Sequence, residues 1–158
     1  MELAVPTDHG AAVNAQSRSS ELSEVASAPR AKVLVVDDDR DVLELVRRRL
    51  QAAGYEVHVR ETSLGSSQWI AEERPDLVLL DVRMPALSGG ELATMIRKSP
   101  AMRGTGVILY SGLEEPALEE LAKQSGALGA IPKTHDGRRF ILAFDRFALQ
   151  HKKKPLER

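Results

Sequence analysis

The chain has 158 residues, of which 42% are hydrophobic and 28% charged, with no cysteine and a formal charge of -1 at pH 7. That size holds one ordinary domain plus a tail. The missing cysteines exclude a disulfide framework, a thiolate metal site and a cysteine nucleophile, and the balanced charge argues against a dedicated nucleic-acid or membrane binder.

No apolar run approaches the length that spans a bilayer, and the N-terminus lacks the basic-then-apolar pattern of a secretion signal. A cytoplasmic protein is the expectation. Residues 1–30 are rich in Ala and Ser with scattered charges. They read as a disordered leader with too little apolar surface to offset ordering, apart from a weakly supported helix around Glu21–Ala28. Residues 31–150 carry the folded domain, and 151–158 form a basic C-terminal tail.

The first strand is the apolar run Val33–Val36. A helix from about Asp39 to Ala53 follows, with Val42, Leu43, Leu45, Val46 and Leu50 on one face and Gly54 as its stop. Tyr55–Arg60 alternates, with Val57 and Val59 set against Glu56, His58 and Arg60, as in a half-exposed edge strand. A second helix covers about Leu64–Glu73, stopping before Pro75, with Trp69 and Ile70 read as core. Leu77–Leu80 is the third strand. The third helix opens on Ser88-Gly-Gly-Glu91, a capping-box spacing, and is expected to bury Leu92, Met95 and Ile96. Val107–Tyr110 is the fourth strand. The next helix has Pro116 in its first turn, carries Leu118, Leu121 and Ala122 inward and ends at Gly126. After a short strand Leu128–Ile131, the last helix spans about Asp136–Gln150. It holds every phenylalanine of the chain, Phe140, Phe144 and Phe147, with Ile141 and Ala148 on the same face. Continuous apolar strands alternating with helices imply right-handed crossovers and one parallel sheet between two helical layers.

In open parallel sheets, sites form at the carboxyl ends of the strands. There the first strand runs into Asp37, Asp38 and Asp39, the third into Asp81, the fourth into Ser111 and the fifth into Pro132-Lys133. Carboxylates about 5 Å apart repel by roughly 3 kcal/mol at an effective dielectric near 20, so the cluster calls for a cation. All-oxygen ligation with few protein ligands suits Mg²⁺. A strand-tip Asp81 could attack phosphorus as in aspartyl-phosphate enzymes, with Lys133 and Ser111 neutralising charge on the phosphoryl group.

The stretches VLVVDDDRDVLELVRRRL, PDLVLLDVRMPALSGGEL, VILYSG and GAIPK, in that order and spacing, resemble the receiver domain of bacterial two-component response regulators. The resemblance covers about residues 32–150. It implies a flavodoxin-like doubly wound α/β fold with five parallel strands in the order 2-1-3-4-5. It also implies that Asp37 and Asp38 hold Mg²⁺ with Asp81 and the backbone carbonyl of Arg83, and that Asp81 is the phosphoacceptor. Ser111 would hydrogen-bond the phosphoryl group, Gly112 would be the small residue beside it, and Lys133 would pair with its oxygens. The implied partners are a sensor histidine kinase or histidine phosphotransfer protein, and a downstream target protein. No nucleic-acid partner is expected, and oligomeric state stays open.

Two positions depart from the family pattern. Thr134 stands where proline usually follows the lysine, and Pro132 precedes it, with the isomer of the Ile131–Pro132 bond open. Ala130 replaces the aromatic switch residue, and the nearby Tyr110 precedes Ser111 and could face the other way. Output is therefore expected through the Ser111–Glu115 loop rather than through an aromatic side chain.

The plainer reading of Asp37 and Asp38 is capping of the first helix, which the register with Asp81 and Lys133 disfavours; Asp39 and Asp41 are read as caps. His9, His58, His135 and His151 do not fall where ligands are needed. The Arg47–Arg49 run reads as a solvated face, and Lys152–Lys154 as too small a run for nucleic acid at physiological salt. Because the chain ends soon after the last helix, a single-domain regulator acting through protein contacts is expected, using the face of the fourth helix, fifth strand and last helix with Leu142 and Leu149 as anchors. The alternatives are a phospho-relay intermediate and a receiver-like module that binds without phosphorylation. A haloacid-dehalogenase-like phosphatase is rejected because Arg83 stands where its second acid is needed. Dinucleotide and P-loop readings fail for want of a Gly-rich loop after the first strand.

Overall fold

The computed structural model describes residues 28–154. Within them the chain runs β1 (Lys32–Val36), α1 (Arg40–Ala52), β2 (Glu56–Arg60), α2 (Ser66–Glu73), β3 (Leu77–Asp81), α3 (Gly89–Lys98), a 3₁₀ turn (Pro100–Met102), β4 (Gly106–Ser111), α4 (Glu115–Ser125), β5 (Gly129–Pro132) and α5 (Gly137–Lys153). The five strands are all parallel, in the order β2-β1-β3-β4-β5, as the resemblance implied. Most of the expected leader and the end of the tail lie outside the described residues, as does most of the short helix considered around Glu21.

Because side chains alternate along a strand, each buried strand feeds two cores. Val33, Val35, Leu77, Leu79, Ile108, Tyr110 and Ile131 meet α1 and α5 through Leu43, Val46, Leu50, Phe140 and Phe144. Leu34, Val36, Val78, Leu80, Val107 and Leu109 meet α2, α3 and α4 through Ile70, Leu92, Ile96, Leu118 and Ala122. Phe140 and Phe144 are both fully buried; each contributes roughly 1.5–3 kcal/mol of apolar burial.

Helix ends follow their local chemistry. Asp39 caps α1, accepting from the amides of Asp41 and Val42. Ser88 and Glu91 form the reciprocal capping box of α3, and Gly126 closes α4 in a left-handed conformation.

Several expectations need correction. Leu45 and Met95, placed on inner faces by periodicity, are 46% and 42% exposed, because the stripe a helix presents depends on how it lies across the sheet. On β2, Val59 is 40% exposed while His58 is drawn against Trp69 at 5.2 Å, reversing part of the expected alternation. Helix α2 starts at Ser66, leaving Leu64 exposed before it.

Residues near both ends of the described segment are tied to the domain. Arg30 is pinned by its amide to the Gly54 carbonyl at 2.9 Å and by its guanidinium to Asp145 at 3.0 Å. Helix α5 runs on to Lys153, with His151 hydrogen-bonded to the Gly104 carbonyl.

Candidate functional site

The carboxyl ends of β1, β3, β4 and β5 lie side by side, since the register pairs Val36 with Leu80, Asp81 with Tyr110 and Ser111 with Pro132. Strand direction therefore carries Asp37, Asp81, Ser111 and Lys133 to one rim. Asp37, Asp38 and Asp81 each offer a carboxylate oxygen within 4.8 Å of the others. Asp37 and Asp81 are buried, whereas Asp38 faces solvent.

Lys133 sits between the two buried acids. Its Nζ donates to Asp37 Oδ2 at 2.8 Å and lies 3.2 Å from Asp81 Oδ1. Asp37 also accepts from the Asp39 amide at 2.9 Å, so the first turn of the β1–α1 loop orients it. Burial pushes the Asp81 carboxyl above its ordinary range; the charge of Asp37 adds to the rise, and Lys133 and the Arg83 amide oppose it. Burial would lower the Lys133 ammonium, but the hydrogen bond and charge of Asp37, joined by Asp81, outweigh it and raise its pKa. One ammonium between two buried carboxylates leaves the rim electron-rich.

The donor set fits a hard divalent cation. All the side-chain ligands are oxygens, and exposed Asp38 leaves an open side for water or phosphate oxygens. The Lys133 ammonium supplies one positive charge beside these acids.

The other candidate residues lie at or just beyond the ends of β3 and β4. Ser111 is buried, and its Oγ accepts from the Leu113 amide at 3.2 Å. Its carbonyl accepts from the Lys133 amide at 2.8 Å, locking β5's end to β4's. Gly112 is exposed, and a Cβ there would meet nothing, so the free protein does not require glycine at that position. The Arg83 side chain is exposed, while its amide serves Asp81.

Tyr110 turns away from Ala130. It packs edge-on against Phe140 at 5.4 Å, on the α1–α5 side, while Ala130 packs with the other core. No cis peptide occurs among the described residues, so Ile131–Pro132 is trans.

Two features escaped sequence reasoning. Gly89 lies so close to β3 that a Cβ would come 2.2 Å from the Asp81 carbonyl oxygen. Only glycine lets the N-terminus of α3 rest on the strand that bears Asp81, and the Gly89-Gly90 pair after the capping Ser88 was the available signal. Ala86 is the centre of a tight turn at φ 68, closed by the Leu87 amide on the Pro85 carbonyl at 2.8 Å. That left-handed conformation is strained for alanine.

Comparisons with known proteins bear on the family and the fold. A family model described as the response regulator receiver domain matches residues 33–145. The response regulator MprA of Mycobacterium tuberculosis is 44% identical over 106 residues, which are 65% of this chain and 44% of that protein. The chain spans under half the length of the curated relatives it matches. Among solved structures, the chemotaxis protein CheY4 of Vibrio cholerae is 27% identical with a TM-score of 0.68, over 74% of this chain and 98% of that one. A receiver domain described as BeF3-activated DrrB is 31% identical with a TM-score of 0.62, over 74% of this chain and 96% of that one.

Proposed function

The chain belongs to the response regulator receiver family of two-component signalling, and from that premise we propose that Asp81 is its phosphoacceptor and that phosphorylation switches its binding to a target protein. The observation that carries this reading is the meeting of Asp37, Asp38 and Asp81 within 4.8 Å with Lys133 between two of them.

In the proposed reaction an Asp81 carboxylate oxygen attacks the phosphorus of a phosphohistidine or a small acyl phosphate. The new O–P bond forms as the bond to the imidazole nitrogen or acyl oxygen breaks, and the departing group keeps that electron pair. Asp37, Asp38, Asp81 and the Arg83 carbonyl would hold Mg²⁺, which when bound neutralises charge on the phosphoryl oxygens. Lys133 exchanges one carboxylate partner for a phosphoryl oxygen. Ser111 turns its hydroxyl from the Leu113 amide to donate to another. Both changes reach the Ser111–Glu115 loop, the start of α4, and so bias a two-state domain.

The donor is a sensor histidine kinase or a histidine phosphotransfer protein, and the protein catalyses only its own phosphoryl uptake and loss. Output runs through the face of α4, β5 and α5, where Leu142 and Leu149 are 60% and 54% exposed. Among the described residues no helix is long and apolar enough to cross a membrane, and a cytoplasmic site of action belongs to the same proposal.

The test is incubation with Mg²⁺ and a small acyl phosphate, followed by intact mass. A gain of one phosphoryl group that is lost in Asp81→Asn is the expected result. No gain under conditions that label a control receiver, or labelling that survives Asp81→Asn, overturns the assignment. For the output path, a structure with a bound phosphate mimic that leaves the Ser111–Glu115 loop unmoved would refute the loop mechanism.

A further inference from the structure

The amino edge of the sheet, opposite the Asp81 rim, opens on a cavity of ≈ 980 Å³. Leu77 and Gly106, the first residues of β3 and β4, line it. Four strand steps, about 13 Å, separate Leu77 from Asp81, so the cavity shares nothing with the carboxyl rim. Its floor is apolar, built from Leu77, Ile96, Met102, Val107 and Leu128. Two glycines make room in the wall. A Cβ on Gly106 would meet Leu128 at 2.7 Å and the His151 Nδ1 at 2.9 Å, and one on Gly126 would run into Arg97 Cδ. Small-molecule sites span roughly 300–1,000 Å³, and this cavity lies within that range.

The wall is basic. Arg97 reaches it from the last turn of α3, Arg103 from just past the 3₁₀ turn, and His151, Lys152 and Lys154 from the end of α5. Asp76 is the one acid in the lining, and its carboxylate already accepts from the Lys32 amide at 2.8 Å. Among the described residues Arg97, Arg103, Lys152 and Lys154 form no ion pair. Lys152 uses one of its three donors on the Arg30 carbonyl at 2.9 Å. His151 Nε2 donates to the Gly104 carbonyl at 2.9 Å, so Nδ1 is its free nitrogen. The carboxyl ends of α3 and α5 favour nearby cations, which accounts for Arg97 and Lys152 singly. That effect accounts neither for Arg103, which follows a turn of three residues, nor for cations from three elements meeting over one apolar floor. A nucleic-acid backbone needs phosphate contacts strung along a surface, whereas these cations converge on one recess. A small polyanion carrying a flat apolar ring matches both wall and floor.

We propose that this cavity is a second ligand site, for a nucleoside polyphosphate. Arg97, Arg103, Lys152 and Lys154 take its phosphate oxygens, and its base lies on Leu77, Ile96, Met102 and Leu128. The site stands apart from the phosphoacceptor reading, since it uses no residue of the Asp81 rim.

The probe is adenosine triphosphate, titrated with EDTA at physiological salt into the ¹⁵N-labelled full chain and followed by NMR. Shifts centred on Arg97, Met102, Gly106 and His151 are expected. Inorganic tripolyphosphate and adenosine, each lacking one half of the match, bind about tenfold or more weakly. The double variant Arg97→Glu/Arg103→Glu, at two exposed positions, weakens binding by about tenfold or more. The control pair Lys123→Glu/Arg138→Glu makes the same charge change at exposed positions outside the cavity, and its affinity stays within about twofold because salt screens distant charges. The tripolyphosphate and adenosine arms use the unaltered chain, so they test the site even if a variant misfolds. Absence of binding, shifts centred elsewhere, tripolyphosphate as tight as adenosine triphosphate, or equal losses in the two charge pairs overturns the proposal. A DNA duplex that displaces adenosine triphosphate at equal phosphate concentration assigns the face to nucleic acid and overturns it too. Phosphoryl uptake at Asp81, read by mass, is expected unchanged in Arg97→Glu/Arg103→Glu, so either reading can fail alone.

Discussion

The two faces of the sheet are built from different material. On the α1–α5 side, Tyr55, Tyr110, Phe140 and Phe144 form a run of ring contacts at 5.1–6.1 Å. Tyr55 also donates its hydroxyl to Asp145 at 2.5 Å, which ties β2's start to α5. On the α2–α3–α4 side the fully buried side chains are aliphatic, and Trp69 is only half-buried. Large rings with few rotamers and polar pins hold one face in a single arrangement. The aliphatic face has smaller, more interchangeable contacts, and it carries the loops that leave Asp81 and Ser111. The contrast assigns rigidity to one side and response to the other.

The largest test of that contrast is Phe144→Ala. It should cost about 3–5 kcal/mol by chemical denaturation while the folded fraction still accepts phosphate at Asp81. On the other face Ile96→Val should cost about 0.5–1.5 kcal/mol. If loss of the single Ile96 methyl group cost as much as loss of the Phe144 ring, the aliphatic face would be the less yielding of the two, against the contrast drawn here.

Next is Gly89→Ala, which should cost about 1–3 kcal/mol through overpacking. Unlike Phe144→Ala, it should also slow phosphoryl uptake per folded molecule, because the methyl group pushes α3 away from the Asp81 backbone. Unchanged uptake kinetics would separate α3 placement from site geometry.

Third, the raised Asp81 carboxyl makes a signed prediction. The folded state holds that proton more tightly than the unfolded state, so stability falls as pH rises from the ordinary carboxylate range through the raised value. The ionised side chain is thus a liability at neutral pH, and Asp81→Asn should raise Tm by a few degrees there. Lys133 keeps Asp37 as a partner in that variant. The advantage should shrink toward pH 4, and thermal melts across pH that show a constant difference would contradict the burial argument. The contribution of Lys133, whose pKa is raised, persists at neutral pH and is lost only in strong alkali.

The smallest effect expected is for Ala86→Gly. Relief of the left-handed strain at φ 68 should exceed the added unfolded-state entropy, for a net gain of about 0.5 kcal/mol. Denaturation midpoints would register it, and a loss instead would mean that the Ala86 methyl makes contacts worth more than the strain.

Much of this was legible in one dimension. Buried parallel strands leave continuous apolar runs, so Val33–Val36, Leu77–Leu80 and Val107–Tyr110 announced themselves. Ser88 and Glu91 marked a helix start by the only spacing at which each can cap the other. The acids at the ends of the first and third runs, with Lys133 after the fifth, identified the rim, because strand direction alone puts those positions together. Less legible were residues whose role depends on an angle or an approach. Leu45 and Met95 fit a helical period yet face outward, and Val59 fits an alternation yet is exposed, since a period does not say where a helix or an edge strand is covered.

The sequence by itself determined the alternation of elements, the caps and the set of side chains at the carboxyl rim, all of which follow from local periodicity and chain direction. Tertiary structure decided that Lys133 rests between Asp37 and Asp81, that Tyr110 packs on Phe140 rather than beside Ala130, and that α3 touches Asp81 through Gly89. It also decided that Arg97, Arg103 and His151 gather around one cavity. Each of these is a distance between residues far apart in the chain, and such distances are set by how helices pack across the sheet.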